Sequence, residues 1–170
     1  DNLTEHVESI SNVTSDDSNL ERLNRWNCAW SLFKERPLFG WGPGTYQFVY
    51  APYQETKYKT IISTNNADGG NAHSEYLGPL AEQGILGPMF VILLIWYISS
   101  IGFRLWNESE NIDKRNLAVG VYLGLMTYFI HGILNNYLDT DKASAPFWGF
   151  IALLVVLDLE LRDSKKEITS

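Results

Sequence analysis

Three side chains in the first half of the chain have types and surroundings suited to chemistry: His73, Arg22 and Arg25. His73 stands in the stretch NAHSEYLGPLAEQGILG, residues 71–87, just ahead of a short helical pattern. Asn71 is a residue type that caps helix starts and Gly84 one that ends helices, while Leu77, Leu80 and Ala81 supply an apolar side. A helix over 72–83, bent at Pro79, would place His73 in its first turn, where the positive end of the helix disfavours imidazolium. A neutral imidazole is what a general base requires, and unsatisfied N–H groups at the same helix start suit an anion. The plainer alternative is a histidine that only caps or hydrogen-bonds its loop, and on these residues alone the two readings balance.

The arginines sit upstream. Ser18 followed by Glu21 has capping-box spacing and predicts a helix near 19–36, stopped by Pro37. Leu23, Trp26, Trp30 and Phe33 fall on one stripe at helical spacing and are expected to pack down. The adjoining face carries Arg22, Arg25, Ala29, Leu32 and Arg36. A guanidinium forks onto phosphate oxygens with two hydrogen bonds, so this face suits an anion. On spacing alone, solvated arginines paired with Glu21 or Glu35 are the simpler account. Between the two regions lies RPLFGWGPGTYQFVYAPYQ, whose Gly40, Gly42 and Gly44 make neither a P-loop nor a dinucleotide fingerprint and instead predict a tight turn. The aromatics after it, Tyr46, Phe48, Tyr50 and Tyr53, fit a core or an interface, with sugar stacking as the sharper reading. Residues 54–70 read as a mobile loop ending in a glycine pair. Three scattered histidines and the lone Cys28 offer no metal cluster, so no metal and no cofactor is expected.

These residues must be held by the rest of the 170-residue chain, which has two unlike halves. The net charge of −7 is that of an ordinary acidic protein, yet no Asp, Glu, Lys or Arg occurs in 83–103 or 116–138. Each run is long enough to cross a hydrocarbon core, which takes roughly 20 helical residues. FVILLIWYISSIGF is apolar on every face, which a soluble protein this small could not cover. A third, shorter run begins at Ala143 and ends near Asp158 and Glu160. The expected fold is all-α: a polytopic membrane protein fragment with a helical outer region followed by three transmembrane helices. In order these are a polar lead-in (1–17), the outer region (18–83, helices near 19–36 and 72–83), spans at 84–104, 117–138 and 144–161, links at 105–116 and 139–143, and a tail at 162–170. Arg104, Lys114 and Arg115 in the first link and Arg162, Lys165 and Lys166 in the tail, against Lys142 alone in the other link, put link and tail in the cytoplasm and 1–83 outside. A chain that opens DNLTEHVESISNVTSDDSN shows no signal peptide, which suggests the C-terminal part of a longer protein. His131, near the outer end of the second span, is a functional candidate by its position or a hydrogen-bonding group between helices.

RWNCAWSLFKERPLFGWGPGTYQF, NAHSEYLGPLAEQGILG and IHGILNNYLDTDKASAPFWGFIALL, in that order, resemble the C-terminal part of the O-antigen ligase/polymerase family. The resemblance implies a bacterial inner-membrane, multi-pass glycosyltransferase with a periplasmic loop, here residues 1–83. It implies a donor glycan on an undecaprenyl-diphosphate carrier, and as acceptor the lipid A-core in a ligase or another carrier-linked repeat in a polymerase. Membrane lipids are the surroundings, no nucleic acid is involved, and neither a metal nor a nucleotide sugar is needed. The family's periplasmic histidine corresponds to His73; its loop arginine corresponds to Arg25, with Arg22 second. Asn135 and Asn136 depart from the pattern, which often has an acid there, and the upstream spans that would hold the carrier are missing, so the segment alone is expected to be inactive. Two other classes remain as alternatives: a non-catalytic scaffold whose outer loop binds polysaccharide, and a transporter fragment, which the nearly uniformly apolar spans disfavour.

Overall fold

A computed structural model of the chain describes residues 17–60, 63, 70–139 and 141–169. The described residues form six α-helices and two short 3-10 turns, with no strand among them. The chain folds as two compact units, Asp1–Pro88 and Met89–Ser170. The expected lead-in, Asp17 apart, lies outside the described residues, as do 61–62 and 64–69 of the expected mobile loop.

In the first unit, α1 (Asp17–Glu35) is the central element. Its buried stripe is not the aromatic one. Trp30 is 49% exposed, and Leu23, Trp26 and Phe33 are only partly buried, whereas Glu21, Asn24, Arg25, Cys28, Ala29 and Leu32 are all buried. The stripe rule fails here because the polar members satisfy one another inside. Asn24 donates to Gln54 at 2.9 Å and Arg25 to Glu21 at 2.6 Å, so burying them leaves few unpaired groups. Cys28 and Ala29 are small, which lets Tyr46, Tyr50, Ala72 and Ala81 close over the helix. The expected line of guanidiniums is also broken up: Arg25 is buried, Arg22 is half-buried, and Arg36 lies on the surface, stacked 4.0 Å over Trp41.

The helix predicted over 72–83 is shorter: α3 runs Leu77–Gln83. Residues 73–76 form bends and turns instead. Pro79 explains the shift, since it lacks an N–H and is tolerated in a first helical turn but not deeper. It therefore sits near the helix start and does not bend the helix. The start is capped by Ser74, whose hydroxyl accepts from the N–H groups of Tyr76 and Leu77 at 3.3 Å each. Asn71 makes a local turn instead, its Oδ1 accepting from His73 N at 3.0 Å.

The glycine-rich segment between α1 and the short α2 (Tyr46–Val49) folds against the far end of α3. Trp41 N donates to Ala81 O at 3.2 Å and Gly42 N to Glu82 O at 2.7 Å. The Glu82 carboxylate accepts from Gly44 N at 2.8 Å and Tyr46 N at 2.9 Å, capping α2 from another helix. Gly40 has φ +64°, and a Cβ there would stand 2.3 Å from the Glu82 carbonyl carbon. Gly40→Ala should thus lower stability by more than the roughly 1–2 kcal/mol of a left-handed L-residue, because backbone must also move. A thermal melt of the detergent-solubilised protein would show this as a clear drop in midpoint.

The second unit holds α4 (Leu86–Glu108) from Met89 on, then α5 (Ile112–His131) and α6 (Asp141–Thr169). Leu86–Glu108 and Lys142–Glu167 are long and apolar enough to cross a membrane. Helix α5 ends at His131, before the end expected at 138, and residues 132–138 are turn and irregular chain. The helix α6 runs well past Asp158 and Glu160. Asp158 is tolerated because it is 3% exposed and doubly paired, by two hydrogen bonds from Arg104 and an ion pair with Arg162 at 2.9 Å. Lys114–Glu160 and Lys165–Glu108, both 2.7 Å, pair further charges of these three helices. The apolar centre joins Ile98, Ile101 and Leu105 to Ala118, Leu125, Phe129, Phe147 and Leu154.

Candidate active site

The chemistry-bearing residues of the first unit converge on the buried face of α1. Arg25 is 6% exposed, and its surroundings hold it in place from several directions. Its Nε donates to Glu21, its guanidinium lies 4.3 Å over the Tyr50 ring, and its backbone carbonyl accepts from the Tyr46 hydroxyl at 2.8 Å. Tyr46 and Tyr50 stack nearly parallel at 5.3 Å, so the ring beneath the guanidinium is itself fixed. Burial opposes the Arg25 charge, but the Glu21 hydrogen bond, with Tyr50 and Tyr46, outweighs it and raises its pKa.

One nitrogen of that guanidinium, Nη1, is buried and has no hydrogen-bond partner among the described residues. An unmade bond on a buried charged donor is unfavourable, so Nη1 is the atom of this group with hydrogen-bonding capacity to spare. Gly70 explains how the chain approaches it so closely: a Cβ at that position would fall 1.6 Å from Nη1. The glycine pair is legible in the sequence as a loop end, but not as clearance for an arginine.

Glu21 is offered by the sequence as a partner for arginine on a solvated face, and the structure buries the pair instead. Its spacing marks it as a capping acid, yet it is 5% exposed and accepts from Arg25, from Asn24 at 3.4 Å and from the Ser63 hydroxyl. The i,i+4 spacing to Arg25 signals the pairing, but not its burial.

His73 lies half-buried beside this group, and it is the sole described non-glycine residue with positive φ, +47°. Histidine is among the few types that enter this region with some frequency, and here its backbone is pinned on both sides. Its N–H donates to Asn71, and its carbonyl accepts from Trp26 Nε1 at 3.4 Å. Burial first, then the charges of Arg25 and Arg22, lower the imidazole pKa, with Glu21 opposing. The helix dipole expected from sequence is not the cause, since α3 starts at Leu77. Nor does that helix start offer free N–H groups: Leu77 N donates to the Ser74 hydroxyl, Gly78 N to the Ser74 carbonyl and Leu80 N to the Tyr76 carbonyl. The outcome is nonetheless a neutral imidazole at neutral pH.

The folded state resists protonating His73, so its contribution is full above the ordinary value of 6.5 and declines as pH falls through it toward the lower folded value. Arg22→Gln removes one of the two positive neighbours. It should raise the His73 pKa toward 6.5, seen as an upward shift of its titration midpoint by NMR of ring-labelled histidine.

The structure thus brings His73, Arg25 and, by its charge, Arg22 together. His131 is elsewhere: it ends α5 in the second unit and is exposed. Among the described residues no group of three or more His, Cys, Asp or Glu is placed to hold a metal ion.

An all-helical chain with two bilayer-length apolar helices, and a helical region that gathers a neutral histidine and a buried arginine, is a membrane protein with a polar site outside its apolar helices. The chain belongs to the O-antigen ligase family, whose model, described as O-Antigen ligase, matches residues 1–92. That match contains His73, Arg25, Arg22 and Glu21. A Haemophilus influenzae (strain Rd) protein described as uncharacterized is 19% identical over 136 residues, covering 79% of this chain and 33% of that protein. The chain therefore spans about a third of the length of this curated relative. No solved structure matches it.

Proposed function

We propose that the full-length protein transfers a glycan from an undecaprenyl-diphosphate carrier to an acceptor hydroxyl, with residues 1–83 on the periplasmic face of the inner membrane. The observation that carries this reading is the buried Arg25, whose Nη1 has no partner among the described residues, beside an imidazole kept neutral. His73 takes the proton of the attacking hydroxyl as its oxygen bonds to the anomeric carbon. The bond from that carbon to the diphosphate oxygen breaks, and the negative charge left on the diphosphate is met by Arg25, with Arg22 adding to the field. Attack opposite the leaving group inverts the anomeric carbon. Atoms balance with no metal or redox partner.

An acceptor of lipid A-core makes the protein a ligase, and a second carrier-linked repeat makes it a polymerase. Reconstituting the full-length protein in proteoliposomes with a carrier-linked oligosaccharide and each acceptor tests this reading. The expected result is release of undecaprenyl diphosphate together with one elongated product. Binding of the glycan with no release, under conditions where the protein is folded, would make it a scaffold.

A further inference from the structure

We infer that the turn at Pro37–Phe39 is a membrane-surface anchor, an apolar tip that sinks into the bilayer at the level where α4 begins. Leu38 is 64% exposed and Phe39 75%, and Ile85 beside them is 50% exposed. These residues are fastened together. Ile85 N donates to Pro37 O at 2.8 Å, and Gly84 lies so close to Leu38 that a Cβ there would meet the Leu38 carbonyl at 2.5 Å. Gly40 N donates back to Arg36 O at 3.0 Å, closing the turn behind α1.

The occupant follows from what comes next in the chain. Ile85 immediately precedes Leu86, the first residue of a helix long and apolar enough to cross a membrane. A tip hydrogen-bonded to the residue before such a helix cannot stand far from the surface that helix enters. Its chemistry agrees with that level. Leu38, Phe39 and Ile85 offer apolar bulk. Trp41 is half-buried with its ring under Arg36, and Lys34 and Arg36 outnumber Glu35 on the exposed end of α1. Apolar and aromatic groups with cations at their rim are the composition that settles at the headgroup–acyl boundary of an anionic bilayer. The inference is independent of the transfer chemistry and rests on α4 being a span.

The test places an environment-sensitive fluorophore on Phe39→Cys in the full-length protein, its cysteines outside this segment replaced. Cys28 stays silent, being fully buried with its thiol pushed up to about 12 by burial. Phosphatidylethanolamine–phosphatidylglycerol nanodiscs carry lipids with a quencher near the headgroup or deep in the chains. Labels at Trp96→Cys, about midway along α4, and at Lys57→Cys serve as deep and aqueous references. The expected result is blue-shifted Phe39 emission with a large loss under the shallow quencher, deep-quencher loss at Trp96, and neither at Lys57. Blue-shifted Phe39 emission that no lipid quenches would overturn the inference and assign the tip to upstream helices of the parent chain. Water-like emission, or equal quenching at Lys57, would overturn it as well. Failure of the Trp96 label alone would instead remove α4 as a span.

Discussion

Replacing His73 with asparagine in the full-length protein is expected to cut glycan transfer by roughly 10²–10⁴-fold, the usual worth of a positioned general base. Asparagine is the informative replacement because His73 holds φ +47°, a region that asparagine tolerates better than alanine. The bonds that fix the loop, His73 N to Asn71 and Trp26 to the His73 carbonyl, are made by backbone atoms and survive the change. Stability at neutral pH should therefore stay near wild type while turnover collapses. In cells lacking their own copy, the variant should accumulate in the membrane to normal levels, seen by blot, with the mature surface glycan missing from a gel. Wild-type glycan from the asparagine variant would return His73 to a purely structural role and favour the scaffold over the enzyme. Loss of both glycan and protein would mark the loop as a folding element instead.

The pH dependence of the same reaction gives an independent reading. A base with its pKa depressed by burial, Arg25 and Arg22 stays unprotonated to lower pH than an ordinary histidine. Turnover should then hold as pH falls through 6.5 and decline only below it.

The parts of this arrangement that sequence reveals are those set by single residues. His73 stands out because few residues nearby are titratable near neutrality, and the helix at α4 because an uncharged apolar run of that length matches the thickness of a bilayer. The parts it hides depend on pairs. An apolar stripe such as Leu23, Trp26, Trp30 and Phe33 names a face but not its neighbour, and burial goes instead to a stripe whose Glu21, Asn24 and Arg25 are satisfied by one another and by Gln54. The boundary of α3 is ambiguous in sequence because Asn71 and Ser74 are both good capping types, and Pro79 decides between them only if it is required to lie in the first turn. The neutral state of His73 is legible but its cause is not, since burial depresses its pKa first and the charges that add to it come from α1, some fifty residues upstream by the numbering. The extension of α6 through Asp158 likewise needs Arg104, which lies on a different helix.

Arg25 presents the harder experiment, because it is one half of a buried ion pair. Removing either partner alone leaves the other charged and unpaired, which costs about 3–5 kcal/mol in such sites. Arg25→Gln should thus lose both stability and transfer, and the single variant cannot say which came first. The double variant Glu21→Gln/Arg25→Gln removes both charges and lets the two amides bond to each other. It should recover most of the lost stability, within the usual scatter of coupled sites, yet transfer should remain absent because the diphosphate still lacks its cation. Glu21→Gln alone separates the two functions of the pair. It shares the stability loss of an unpaired buried charge, but it keeps the guanidinium and weakens the bond that holds Nε in place. Its expected signature is a raised KM for the carrier-linked donor with a smaller change in kcat, since the cation is present but poorly aimed. Arg25→Lys would add the geometric half of the argument: a point charge cannot bond Glu21 through Nε and present a second nitrogen in a fixed plane. Full transfer by the double variant, at restored stability, would remove Arg25 from the site and leave the buried pair as a structural clamp on α1.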